Sequence, residues 1–129
     1  MVQIKVYGLA DKLNPIKAEL SNIIHVALIE GLQIAPEKRF HRFFLLDKSD
    51  FYYPSDRSED YLIIEISMFE GRSVATKKQL IRLLIQNIST QLNISVDDIE
   101  ITIFELPKSN WGIRGLPGDE LTLNYKVEV

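Results

Sequence analysis

The chain contains no cysteine. That one absence excludes a disulfide framework, a thiolate metal site and a cysteine nucleophile. Histidine is nearly as scarce: His25 and His41 are the two present, and their placement matches no metal-ligand spacing. No metal and no cofactor are expected. No apolar run approaches the roughly 20 residues that span a bilayer, and the opening MVQIKVYG carries no such stretch. The expected setting is soluble and cytoplasmic, with no membrane partner. Basic charge is also short, with 15 Lys and Arg against 18 Asp and Glu, for a net charge of −3 and a pI near 5.4. Nucleic-acid binding needs a basic face that displaces counterions, so no nucleic-acid partner is expected. GxSxG, Walker A and GxGxxG motifs are missing as well.

What remains is an ordinary globular composition over 129 residues, 46% hydrophobic and 26% charged. It suffices for one domain, 1–129, with a real core. An internal repeat organises that domain. At an offset of 60, Val2, Ile4 and Val6 fall on Leu62, Ile64 and Ile66, and Leu20, Ile23, Ile24 and Leu28 fall on Leu80, Leu83, Leu84 and Ile88. Leu32-Gln33-Ile34-Ala35 matches Leu92-Asn93-Ile94-Ser95, and Phe44 matches Phe104.

Each unit reads β-α-β. Alternation predicts a half-buried strand over 2–8. Asn14 reads as the cap of a helix with Pro15 at its first position, and Gly31 weakens that helix near its end. A second strand is expected over 39–46. The second unit, about 61–105, repeats the pattern with a strand over 61–69, a helix from Ser73 to Leu92 and a strand over 99–105. Ser95 reads as the cap of a short turn. The fold class is α+β, a four-stranded sheet with two helices on one face. Residues 47–60 form a loop or short hairpin, and 107–129 a loop and an alternating terminal strand. Leu62, Ile64, Ile66 and Met68 make a face too apolar for water, so the uncovered side of the sheet is expected to be buried against other subunits.

Three places hold candidate chemistry. Glu70-Gly71-Arg72-Ser73 lies where a strand meets a helix start, with backbone amides and Arg72 suited to a carboxylate. The same residues also read as a plain turn with Ser73 as cap and Arg72 solvated. Asn110-Trp111-Gly112-Ile113-Arg114-Gly115 holds an indole and a guanidinium in one loop, and Trp111 reads equally as a packing anchor. Lys38-Arg39-Phe40-His41-Arg42 opens a strand; Lys38 and His41 would add to an anion pocket, or the stretch is an edge defended by charge. His25 reads as a helix-packing residue.

The two units, the EGRS turn followed by Lys77 and Lys78, and the NWGIRG loop together resemble the tautomerase superfamily, in particular its malonate semialdehyde decarboxylase-like branch, over nearly the whole chain. The resemblance implies a homotrimer of fused β-α-β repeats, without cofactor, that binds small carboxylates of the 2-keto acid or enol type in an intersubunit pocket. It implies keto–enol tautomerase activity with Arg72 on the carboxylate and Trp111 and Arg114 walling the pocket. Lys38 falls near the place of the decarboxylase's acidic residue, with Glu37 adjacent. Val2 stands where the family has its catalytic proline. After removal of Met1, Val2 would expose a primary amine with a reference pKa of about 7.7–8.0, which can still shuttle a proton. Two rivals are a trimeric binding or structural module that has lost its base, and an unrelated ferredoxin-like regulatory domain with an antiparallel sheet.

Overall fold

A computed structural model describes residues 1–121 together with Val127 and Val129. Its elements are β1 (Val2–Leu9), α1 (Ala10–Leu13), α2 (Lys17–Leu32), β2 (His41–Leu46), β3 (Leu62–Phe69), α3 (Val74–Leu92), β4 (Ile99–Leu106), β5 (Gly112–Ile113) and β6 (Leu116–Pro117). The main sheet has the order β2-β1-β3-β4. β1 runs parallel to β2 and β3 parallel to β4, while β1 and β3 meet antiparallel at the centre. Parallel pairs within each unit exclude the antiparallel ferredoxin-like alternative. Most of the alternating terminal strand expected over 121–129 lies outside the described residues.

The sixty-residue repeat is carried by the backbone itself. β1 and β3 share one alternating burial pattern, residue for residue. Gln33 and Asn93, sixty apart, close α2 and α3 in the left-handed region at φ 57° and 56°. That conformation supplies the helix stop that glycine often provides. Gly31 therefore does not end α2; it lets the second helix approach. A Cβ there would sit 3.2 Å from Leu80 Cδ1, where α2 and α3 pack.

The start of the first helix differs from the sequence expectation. Asn14 does not cap a helix at its N-terminus. It closes the single turn α1, its amide donating to Ala10 O at 3.0 Å, and α2 begins at Lys17 without a side-chain cap. Pro15 sits between the two, because its ring and missing N–H interrupt a continuous helix. The break lets Leu13 turn fully inward.

A second difference concerns the apolar face. Leu62, Ile64, Ile66 and Met68 are at most 1% exposed within the single chain, because they face α2 and α3 together with Ile4, Val6, Leu28 and Leu84. The helices, not other subunits, cover them. The opposite face carries Tyr7, Phe44, Ile63, Glu65 and Phe104 by register. There the Tyr7 and Phe44 rings stack at 4.8 Å, and Tyr7 Oη donates to Glu65 at 2.7 Å.

Residues 47–60 pack as an aromatic loop. Phe51 stacks on Tyr61 at 5.5 Å with Tyr53 beside both. Asp98, 4% exposed, accepts from Ser58 N at 2.8 Å and from Ser58 Oγ at 2.6 Å. The expected Ser95 cap is present, accepting from Asp97 N. No helix among the described residues is long and apolar enough to cross a membrane.

Asp98→Ala removes two hydrogen bonds from Ser58 to a buried carboxylate, and should cost about 1.5–3 kcal/mol in chemical denaturation. It should also expose 51–60 to limited proteolysis before the rest of the chain.

Candidate functional site

The antiparallel centre brings the start of β1 to the end of β3. Val2 pairs with Met68, and Met68 with Glu105 on β4; Glu70 N then donates to Leu106 O at 2.9 Å. The first residues, 69–72 and 105–111 thus meet at one end of the sheet. The amine on Met1 lies there, half-buried. Burial first, then the charges of Arg72, Arg114 and Lys108, lower it from 8.0 to about 5. It is therefore a neutral amine at pH 7.

Loop geometry explains the arrival of those cations. Pro107 ends the sheet, and a 3-10 turn over Lys108–Asn110 leads to Trp111, whose ring meets Phe69 edge-on at 5.2 Å. β5 and β6 then form a hairpin with Arg114 at φ 51° and Gly115 at φ 83°. Two successive positive φ values are what a two-residue turn of the I′ type demands, and they set the exposed Arg114 at the tip. Gly118 closes the loop. Its amide donates to Trp111 O at 2.7 Å, and a Cβ there would lie 2.6 Å from Lys108 O and 3.1 Å from the Phe69 ring. Beside this loop opens a cleft of about 400 Å³ lined by Glu70, Gly71, Lys108, Ser109 and Asp119.

The EGRS turn departs from the cradle the sequence suggested. Ser73 caps α3 as expected, its Oγ accepting from Thr76 N at 3.1 Å. The Ser73 amide, expected to be open to a ligand, donates instead to Val129 O at 2.9 Å, and Thr76 Oγ1 donates to the same oxygen at 2.9 Å. Arg72 is not solvated; it is 4% exposed, with Nη1 donating to Phe69 O at 3.3 Å. Its charge reaches the amine from below the surface. Lys77 forms an ion pair with Glu105 at 2.6 Å.

Of the residues singled out from sequence, Arg72, Trp111 and Arg114 gather around the strand start that bears Val2. The Val2 side chain itself belongs to the core, 5% exposed. Lys38 and His41 lie on the other side of β1, since β2 is its outer neighbour. Lys38 is exposed. His41 turns toward α2, with Nδ1 2.8 Å from Ser21 Oγ. Burial, then Arg39 and His25, lower its pKa to about 4, so it offers no positive charge at neutral pH. Among the described residues no group of three or more His, Asp or Glu side chains could hold a metal.

Lys108 was missed from sequence, although a signal existed. Lys108-Ser109 repeats Lys48-Ser49 at the same offset of 60, each pair opening a 3-10 turn. The repeat thus runs through the loops and not only through the strands and helices.

A protein-family model described as "Tautomerase enzyme" matches residues 38–114. The chain belongs to this tautomerase family. The probable tautomerase YusQ of Bacillus subtilis (strain 168) is 24% identical over 98 residues, covering 72% of this chain and 77% of that protein. A 2-hydroxymuconate tautomerase of Pseudomonas putida is 37% identical over 57 residues, 44% of this chain but 90% of that protein. That relative is about the size of one unit here. Among solved structures, a malonate semialdehyde decarboxylase superposes with a TM-score of 0.79 at 17% identity, covering 92% of this chain and 99% of the other. Native fused 4-OT gives 0.76 at 20%, covering 92% and 98%. At such identities these superpositions establish the tautomerase-type fold.

Gly118→Ala should push the Lys108–Trp111 loop away from Phe69. Trp111 is the only tryptophan, so its fluorescence emission should shift to the red. Gly112→Ala, whose added methyl would meet nothing within 4 Å, should leave the emission unchanged.

Proposed function

We propose that the chain binds a small carboxylate of the 2-oxo acid or enol type and interconverts its keto and enol forms. The observation that carries this reading is the neutral amine at the start of β1, surrounded by Arg72, Arg114 and Lys108. A neutral amine at pH 7 accepts a proton from the hydroxyl or the carbon next to the carbonyl. The resulting ammonium, with a pKa of about 5, is acidic enough to deliver that proton to the other position. The cations serve twice: they hold the substrate carboxylate, and they stabilise the enolate oxygen that develops between the two transfers. Removal of Met1 would pass the amine to Val2 without moving the strand. Lys38, exposed ahead of β2, is positioned to add charge at the same end of the sheet, whereas His41 faces α2 and takes no part.

Activity should rise with pH through about 5 and then level off, because the amine works as the free base above its pKa. Arg114→Ala should move that limb to higher pH, since one of the cations that depress the amine is gone. It should also lower kcat/KM by about tenfold or more, the worth of a charge-assisted hydrogen bond of roughly 1.5 kcal/mol. The assay is ketonisation of phenylpyruvate enol or of a 2-hydroxydienoate, with N-terminal mass spectrometry to establish which residue bears the amine. Turnover no faster than buffer from protein with a free amine would sink the catalytic reading. The rival, a degenerate binding or structural module, is favoured by the burial of Val2 in the core where the family resemblance implies proline. In protein from which Met1 has been removed, Val2→Pro should raise turnover in the enzymatic reading and do nothing in the other.

The uncovered sheet face supports a trimer. Phe104 is 49% and Phe44 38% exposed there, and solved relatives of this fold include wild-type fused 4-OT trimers. Light scattering should give three times the 14.9 kDa of one chain, and Phe104→Glu should shift the mass toward the monomer. A monomeric wild type would overturn the trimer.

A further inference from the structure

Beneath the start of β2 lies a buried polar cluster that the proposed reaction does not use. His25 Nε2 is 2.6 Å from Pro36 O. A carbonyl can only accept, so Nε2 carries a proton and donates to it. On β2, His41 Nδ1 is 2.8 Å from Ser21 Oγ. Ser21 Oγ also accepts from Arg39 Nη1 at 3.4 Å, and its second lone pair or its proton can meet His41 Nδ1. Either tautomer of His41 satisfies Nδ1 and leaves Nε2 buried. The two ring nitrogens left over, His25 Nδ1 and His41 Nε2, are both buried and without a hydrogen-bond partner among the described residues. They belong to rings 6.0 Å apart, edge to face.

This arrangement favours a neutral His41. A protonated His41 carries N–H donors on both ring nitrogens, and the buried Nε2 has no acceptor among the described residues. A positive charge is also created in a buried place whose charged neighbour is Arg39, itself held by Asn22 Oδ1 at 2.6 Å. The segment at stake is the turn before β2. It joins α2 to the sheet and ends beside the first residues of β1, where Phe40 O accepts from Ile4 N at 2.9 Å.

We propose that His41, packed against His25 and Ser21, forms an acid-released latch, which holds residues 35–41 against α2 while its ring is neutral and frees them when it is protonated. The latch stands whether or not the amine site is catalytic. In the closed state His41 resists protonation down to about pH 4, against an ordinary 6.5, whereas in the open state it titrates normally. The open state therefore binds more protons between these values, and its population grows as pH falls. Opening should increase about tenfold per pH unit from 6.5 to 4, near 300-fold in all, and be flat on either side.

Hydrogen exchange of the full-length protein reads this directly. After correction for intrinsic exchange, the amides of Ile4 and Lys38, which donate to Phe40 O and Ala35 O, should show the rise. Amides in the β1–β3 pairing should not. The paired substitution His25→Gln with His41→Asn keeps a donor for Pro36 and an acceptor for Ser21 without a titrating ring, and should flatten the profile. Nitrogen-15 shifts of the wild-type His41 ring give a second measurement that needs no variant: the ring should be unprotonated at about pH 5.5. Exchange that is independent of pH, or that rises equally in the paired variant, or a His41 that titrates near its ordinary 6.5, would overturn the latch.

Discussion

Everything at the functional end of this protein depends on the antiparallel pairing of β1 with β3. Each β-α-β unit by itself buries one strand face against one helix and leaves a raw strand edge. Pairing Ile4 with Ile66 and Val6 with Ile64 joins the two edges and merges two half-cores into one. The direction of that pairing matters as much as its energy. Parallel strands would put both strand starts at one end. Antiparallel strands set the start of each unit against the finish of the other, so the amine meets Phe69, Arg72 and the loop that follows β4.

The approximate two-fold symmetry poses its own question, because an equivalent strand start exists at Tyr61. The local chemistry separates the two. Tyr61 is 8% exposed, stacked on Phe51 with Arg57 5.6 Å from the centre of its ring. Lys48, the counterpart of Lys108 by the sixty-residue offset, is neutralised by Glu59 at 2.7 Å. At the other end the residue in the place of Glu59 is Asp119, shorter by one methylene, and no ion pair between it and Lys108 is formed among the described residues. Phe51 has become Trp111, and Pro54 has become Arg114. The same backbone thus carries a packed aromatic plug at one end and an open, positively charged end at the other.

Much of this was legible in the sequence, for a physical reason. Strand alternation and helical spacing are imposed by burial, and burial is strongest along Val2–Leu9, Leu62–Phe69 and the two helices, so the repeat and the layer order could be read there. Pro15 misled because proline suits both a helix start and a helix break, and only the inward turn of Leu13 decides between them. The apolar face of β3 misled for a related reason: alternation reveals that one face is buried but not what buries it. In the site, Arg72, Trp111 and Arg114 were visible as residue types in a suggestive order. Lys108 was hidden in a polar stretch, and the contact of Val129 with Ser73 joins segments whose sequence gives no hint of their meeting.

That contact bears on how the proposed carboxylate would be held. A helix N-terminus attracts negative charge through its unpaired amides, and Ser73 N would have been the natural one to use. With Ser73 N and the Thr76 hydroxyl both bound to Val129 O, α3 has satisfied its own leading groups. In the proposed reading, attraction for a carboxylate would then rest on side-chain cations: Arg72 from beneath, Arg114 from the hairpin tip and Lys108 from the 3-10 turn. Two of these three ride on the loop that Gly118 holds closed against Phe69. Burial and Arg72 are the larger causes that lower the amine, and loop packing adds the charges of Arg114 and Lys108 to them. Displacing the 107–118 loop would therefore return the amine part of the way toward its ordinary pKa and, in the proposed reading, weaken it as a free base at neutral pH.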